Sequence, residues 1–153
     1  MGTRTWGGND QLDAPRTGEE RYPQARSLPQ VLDHFPERSD VAMALGDLHA
    51  RAGDWDQALA VYKAAVLRGV HVPGLQGALG AAHQQLGHSQ QALTAFRQAA
   101  QQTPTDPRVW NGLAAAAASS GLLEEASRAT ARALELDPAN ARDRANLERL
   151  QEL

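Results

Sequence analysis

The feature that most constrains this chain is an internal repeat with a period of 34 residues. Small and large residues return to the same places in three successive copies without a gap. The aligned sets are Leu45, Leu79 and Leu113; Gly46, Gly80 and Ala114; Gly53, Gly87 and Gly121; Ala58, Ala92 and Ala126; Tyr62, Phe96 and Thr130; and Ala65, Ala99 and Ala133. The chain is therefore expected to fold as an array of one repeated unit.

Each copy divides into two helices with a glycine between them. Val41, Leu45 and Leu48 recur at helical spacing, and Gly53 is expected to end that helix in the left-handed conformation. Asp54 is expected to cap the next helix, and Pro107 suits the first helical position of the third copy. Alanine fills 29 of the 153 positions, which favours helices and lets them pack closely.

This pattern resembles the tetratricopeptide repeat (TPR) family, in which each unit is a helix-turn-helix. The motif is carried by Leu45-Gly46, Gly53, Ala58, Tyr62 and Ala65; by Leu79-Gly80, Gly87, Ala92, Phe96, Ala99 and Pro104; and by Trp110, Leu113-Ala114, Gly121, Ala126, Ala133 and Pro138. The sequence departs from the family pattern at His49, His83, Ala117, Thr130 and Val70. The resemblance implies an all-α fold, an α-solenoid of three TPR units.

The same frame divides the chain into segments. We expect TPR units at residues 39–72, 73–106 and 107–140, followed by a C-terminal capping helix at 141–153. In that helix Leu147 and Leu150 are expected to face inward, and the charged residues, Asp143 among them, outward. Residues 27–38 are expected to form an N-terminal cover helix, and residues 1–26 a flexible or disordered tail.

The resemblance also implies that the first helix of each pair lines a concave groove. The candidate partner-binding residues at groove positions are Met43, Asp47, Arg51, Gly77, Ala81, Gln84, Gln85, Arg108, Asn111 and Ala115. Gly77 and Ala81 leave space for a partner backbone, while Gln84, Gln85 and Asn111 can form hydrogen bonds with it. A carboxylate clamp like that of the TPR co-chaperones is not expected, because Asp47 would repel a carboxylate.

Glycines and histidines suggest two further interpretations. Gly74, Gly77 and Gly80 are expected to weaken the first helix of the second unit, by about 1 kcal/mol each relative to alanine. His49 and His83 are 34 residues apart, so they could be metal ligands. Adjacent helices lie ~8–10 Å apart, whereas a zinc–nitrogen bond is about 2 Å. We therefore expect core or rim histidines and no metal site.

Composition and motif content exclude several other classes. The net charge is −3, which argues against nucleic-acid binding, and the absence of cysteine excludes disulfides and thiolate sites. The longest apolar run, 113–118, is far shorter than the roughly 20 residues of a membrane-spanning helix. No catalytic or nucleotide-binding motif occurs, so neither an enzyme nor a cofactor is expected.

The function expected from these observations is that of a protein–protein interaction scaffold or adaptor. It would bind a partner peptide or helix in the concave groove, as in the bacterial TPR proteins that help to assemble pili and secretion machines. The alternative is a self-assembling structural protein that uses the groove or the repeat ends to form homo-oligomers. The N-terminus carries no apolar segment typical of a signal peptide, which leaves the localisation open between bacterial cytoplasm and periplasm.

Overall fold

A computed structural model of the chain describes residues 39–152, which contain seven α-helices and no β-strand. The helices are α1 (Ser39–Ala52), α2 (Trp55–Leu67), α3 (Leu75–Gln85), α4 (Ser89–Gln102), α5 (Pro107–Ser119), α6 (Leu123–Leu136) and α7 (Ala141–Gln151). Each helix packs against the next along the chain. The all-α helical-repeat fold predicted from the sequence is confirmed. The cover helix and tail predicted for residues 1–38 lie outside the described residues.

The turn inside each pair has one conformation, and glycine makes it possible. Gly53, Gly87 and Gly121 have φ of 83°, 74° and 76°, the left-handed region that L side chains rarely adopt. In the first turn the Gly53 N–H bonds the Ala50 carbonyl and the Asp54 N–H bonds the His49 carbonyl, at 3.1 and 2.9 Å. This pair of bonds is a Schellman motif, and it ends the first helix of each pair.

The Schellman motif also corrects one expectation. Asp54 stands immediately before α2, but its side chain accepts no hydrogen bond from that helix. Its backbone, with ψ 67°, is set by the end of α1 and lacks the extended conformation typical of a capping residue. The prediction that Asp54 caps α2 through its side chain is therefore wrong.

The connections between units differ. Before α5, Pro107 occupies the first turn, as expected, and the Asp106 side chain accepts from the Arg108 N–H at 2.9 Å. Residues 68–74 join α2 to α3 through two left-handed glycines, Gly69 and Gly74. Gly74 precedes α3 and supplies its positive φ of 93° there, so it is not one of the helix-weakening glycines that the sequence suggested.

We call the packing of each second helix against the first helices of its own unit and of the next a junction. The first junction comprises α1, α2 and α3; the second, α3, α4 and α5; the third, α5, α6 and α7. At the second junction the Phe96 ring lies against two glycines, Gly80 and Gly112. A Cβ on Gly112 would be 2.2 Å from Phe96 Cε1, and one on Gly80 would be 2.9 Å from the ring. Glycine at both places is thus what lets the ring lie between α3 and α5.

Helix α7 continues the repeat geometry. Arg144 donates to the Pro138 carbonyl at 3.0 Å, just as Trp110, 34 residues earlier, donates to the Pro104 carbonyl at 2.8 Å. Leu150 is half-buried against the core, as expected. Asp143, however, is only 4% exposed, so the prediction that it faces outward is wrong. Its position in the frame is that of buried Val109, and the docking of α7 carries it into the junction.

Candidate functional site: the groove lined by the first helices

The first helices of successive units share one surface. Gln84 of α3, Asn111 and Ala115 of α5, and Asn146 and Leu150 of α7 line a common cavity of about 560 Å³. Three of the ten residues predicted from the sequence are therefore brought together, although binding by any of them stays a prediction. We call this space the groove cavity.

Other predicted groove residues lie beside the cavity or on α1. Met43 and Ala81 are half-buried and pack against the hydrophobic core. Gly77 is half-buried, and a Cβ there would lie 3.8 Å from Val109, so this helix approaches α5 with little space to spare. Arg51 and Gln85 are exposed.

Asp47 is held by a residue of the second helix. The Tyr62 hydroxyl donates to Asp47 Oδ1 at 2.7 Å, and the ring itself is almost fully buried. Burial first, and then the bond to Asp47, raise the pKa of the Tyr62 phenol, so Tyr62 remains a neutral donor at physiological pH. The carboxylate of Asp47 is thereby fixed on the α1 side of the groove.

Arg108 is engaged at the start of its own helix. Its guanidinium donates to Asp106 Oδ2 at 2.8 Å and to Oδ1 at 3.1 Å. The side-chain hydrogen bond from Arg108 lowers the pKa of Asp106, which keeps this carboxyl ionised. A partner that bound Arg108 would have to compete with Asp106.

Part of the groove cavity was not predicted. Thr130 of α6 and Asn140, Arg142, Asp143 and Arg149 around α7 also line it. From the sequence, α7 was expected to be a capping helix without a role in binding. The 34-residue frame contained a usable signal, because Thr130 stands where Tyr62 and Phe96 stand in the earlier units.

Some polar groups of the cavity have hydrogen-bond partners and others do not. Thr130 Oγ1 donates to the Ala126 carbonyl at 2.8 Å, and Arg149 donates to Asn146 Oδ1. Asp143 Oδ2 is buried and has no hydrogen-bond partner in the described part of the chain. The cavity therefore contains a buried acceptor that nothing in residues 39–152 uses.

Two histidines, His83 and His88, pair at the turn that follows α3. His83 is buried, and its Nδ1 lies 3.3 Å from Nδ1 of His88. Burial lowers the pKa of His83, and the nearby charges of Lys63 and His88 act in the same direction. Within residues 39–152 no three His, Cys, Asp or Glu side chains come together as a metal site would require.

An exposed apolar surface lies at the end of α2. Leu67, at the end of α2, is 88% exposed, and Val66 beside it is 39% exposed. Both line a space of about 500 Å³ shared with α3 and α4. No helix among the described residues has the length and apolar character needed to cross a membrane.

The repeated Schellman turns, the paired helices and the groove lined by first helices define the class: an α-solenoid of helix-turn-helix repeats. Two family models, both of the tetratricopeptide repeat, match residues 18–69 and 73–116. The chain belongs to the tetratricopeptide repeat family.

Solved structures share this fold. A MamA fragment from Desulfovibrio magneticus RS-1 superimposes with a TM-score of 0.76 at 20% identity, covering 84% of this chain and 72% of that one. YrrB, described as a TPR protein with an unusual peptide-binding site, gives a TM-score of 0.76 at 19% identity, covering 84% and 66%. The first TPR of Spaghetti (RPAP3), bound to the HSP90 peptide SRMEEVD, gives 0.71 at 22% identity, covering 75% and 91%. No curated protein sequence matches the chain. At these identities the likeness concerns the fold alone.

Proposed function

We propose that this chain is a protein–protein interaction scaffold that binds a partner peptide or helix in its concave groove. The observation that carries the proposal is the groove cavity, because residues of three successive first helices converge on it. Its volume of about 560 Å³ lies within the roughly 300–1,000 Å³ typical of ligand pockets. Small side chains such as Ala115 leave room, and amides such as Asn111 offer hydrogen bonds to a peptide backbone.

The solved TPR structures support the same proposal by analogy. The RPAP3 domain is bound to a peptide, and YrrB is described by its peptide-binding site. A role as adaptor in the assembly of a bacterial pilus or secretion machine is the specific form that we propose. It rests on the resemblance of the repeat array to bacterial TPR proteins of that kind.

A pull-down with two groove-blocking variants tests the proposal. Ala115→Trp would place a large ring in the groove cavity, and Asn111→Arg would put a long cation into it. Gln101→Arg is the matched control, because Gln101 is exposed on the second helix α4. We expect one partner, identified by mass spectrometry, to be lost from both groove variants and kept by the control. Equal recovery from all of them would show that the groove is not the binding site.

Self-assembly is the second candidate, and the exposed apolar side chains of Val66 and Leu67 favour it. Light scattering after size exclusion distinguishes the two functions. A mass that increases with protein concentration, and returns to the monomer in Leu67→Glu, would support self-assembly. A monomer at all concentrations would rule it out.

A further inference from the structure

We propose that the groove cavity receives a basic side chain, Lys or Arg, of the partner segment, and that Asp143 is the acceptor for its N–H groups. This proposal rests on the proposed function, since it specifies what the groove recognises. It would account for the buried carboxylate of Asp143, which the fold does not require.

The first step of the argument is positional. The residues 34 and 68 positions before Asp143 are the buried Val109 and Leu75, so an apolar residue is what this place normally holds. Thr130 likewise stands in the place of Phe96, and Asn146 in that of Gly112. Three polar replacements thus occur together at the third junction, where the second junction has a phenylalanine ring packed on glycine.

The second step concerns the state of the Asp143 carboxyl group. Asp143 is 4% exposed, and its Oδ2 has no hydrogen-bond partner within residues 39–152. The helix does not require it as a cap, because the Asn140 side chain already accepts from the Asp143 backbone N–H at 3.2 Å. A buried carboxylate oxygen without a donor is costly in free energy, and a bound cation would offset that cost.

The third step concerns how charge is distributed in the lining. Asp143 is the single carboxylate among the residues that line the cavity, and it is buried, whereas the two lining arginines, Arg142 and Arg149, are exposed. A cation that passes this rim reaches an acceptor, whereas an anion would stay at the rim. The best fit is therefore a segment in which the basic residue has an acidic neighbour, since that neighbour can bond the rim guanidinium groups.

The experiment selects ligands from a random peptide library displayed on phage, with the full chain as bait. The comparison bait is Asp143→Leu, which restores the residue type of Leu75 and should preserve folding. We expect Lys or Arg, beside an acidic residue, to be enriched on the wild type and not on the variant. A selected peptide is then compared with an analogue in which citrulline, a neutral isostere, replaces its arginine. The analogue should bind the wild type at least about tenfold more weakly.

Asp143→Asn is the second variant, in case Asp143→Leu does not fold. It should bind the two peptides with similar affinity, because the charge that distinguishes them is gone. Peptides that require an open groove, shown by their loss in Ala115→Trp, but that have no basic preference would overturn the role of Asp143 and leave the groove function standing. If every selected peptide still binds Ala115→Trp and Asn111→Arg, the groove function itself is wrong.

Discussion

The second and third junctions are built on the same frame and differ in what fills them. At the second, the Phe96 ring lies between Gly80 and Gly112, and the space is apolar and closed. At the third, Thr130 takes the place of the ring, and a cavity of about 560 Å³ with several polar residues in its lining opens in front of it. The comparison teaches that the repeat determines the fold, while departures from the repeat create the candidate site.

The largest expected effect is a difference in the free energy of unfolding between alanine variants of Phe96 and Thr130, which occupy equivalent positions. Phe96→Ala should lower the free energy of unfolding by about 3–5 kcal/mol, because it removes a buried ring and leaves a cavity. Thr130→Ala should cost only about 1–2 kcal/mol, since it removes one buried methyl group and one hydroxyl that bonds a backbone carbonyl. Urea denaturation of both variants measures the difference. Similar losses would mean that the third junction is packed as tightly as the second.

Substitution of Gly112, with Gly77 as its control, tests how closely the Phe96 ring is packed. Gly112→Ala should destabilise by about 1–3 kcal/mol, because its Cβ would overlap Phe96 and the ring is blocked by Gly80 behind it. Gly77→Ala is the matched control, since its Cβ would meet ordinary contact distances and its helix should gain up to about 1 kcal/mol. Thermal unfolding of the two variants should shift in opposite directions. A neutral Gly112→Ala would contradict the tight packing.

Making the third junction resemble the second should raise stability. Asp143→Leu removes a buried carboxylate whose Oδ2 has no hydrogen-bond partner within residues 39–152, which is worth about 1–3 kcal/mol. The gain is reduced by the roughly 0.3–1 kcal/mol that an acidic residue contributes in the first turn of a helix. We expect a higher midpoint in urea, measured beside Glu148→Leu, an exposed change on the same helix. A lower midpoint for Asp143→Leu alone would show that the carboxylate stabilises the fold.

The smallest expected effect concerns the ion pair that joins α4 to α6 outside both junctions. Arg97 donates to Glu125 at 2.8 and 2.5 Å, with 48% of the arginine side chain exposed, so Glu125→Gln should cost only about 0.2–1 kcal/mol. The Arg97 hydrogen bond lowers the pKa of Glu125 from its ordinary 4.5. The contribution is therefore present above pH 4.5 and lost as the pH falls through the lower folded-state pKa. Denaturation of wild type and variant should show a larger difference in stability at pH 7 than at pH 3.

Much of the fold could be predicted from the sequence, because the residues that determine it act locally. Left-handed glycines end the first helices, and Pro107 begins α5, with no dependence on distant contacts. Asp54 was misjudged because a residue type suited to capping stood where the preceding turn had already set the backbone.

The candidate site was less predictable, because it depends on packing between units. Gln84, Asn111 and Ala115 could be grouped by their places on the first helices, and they do line one cavity. Asp143 lies between Arg142 and Arg144, and such a charged run indicates a solvent-facing surface. Only the docking of α7 against α6 shows that Asp143 is buried. What the residues bind stays a prediction.

Within residues 39–152 the core consists of two clusters that meet along α4. Ala95 belongs to the cluster built mainly from α1, α2 and α3, while Ala92 and Phe96, on the same helix, belong to the cluster that extends to α6. In a linear array, cooperativity depends on such shared elements, because each unit contacts only its neighbours. Helix α4 is then the thermodynamic link between the two halves. Weakening it should broaden the unfolding transition into two steps, whereas an equal loss at either end should only shift a single one.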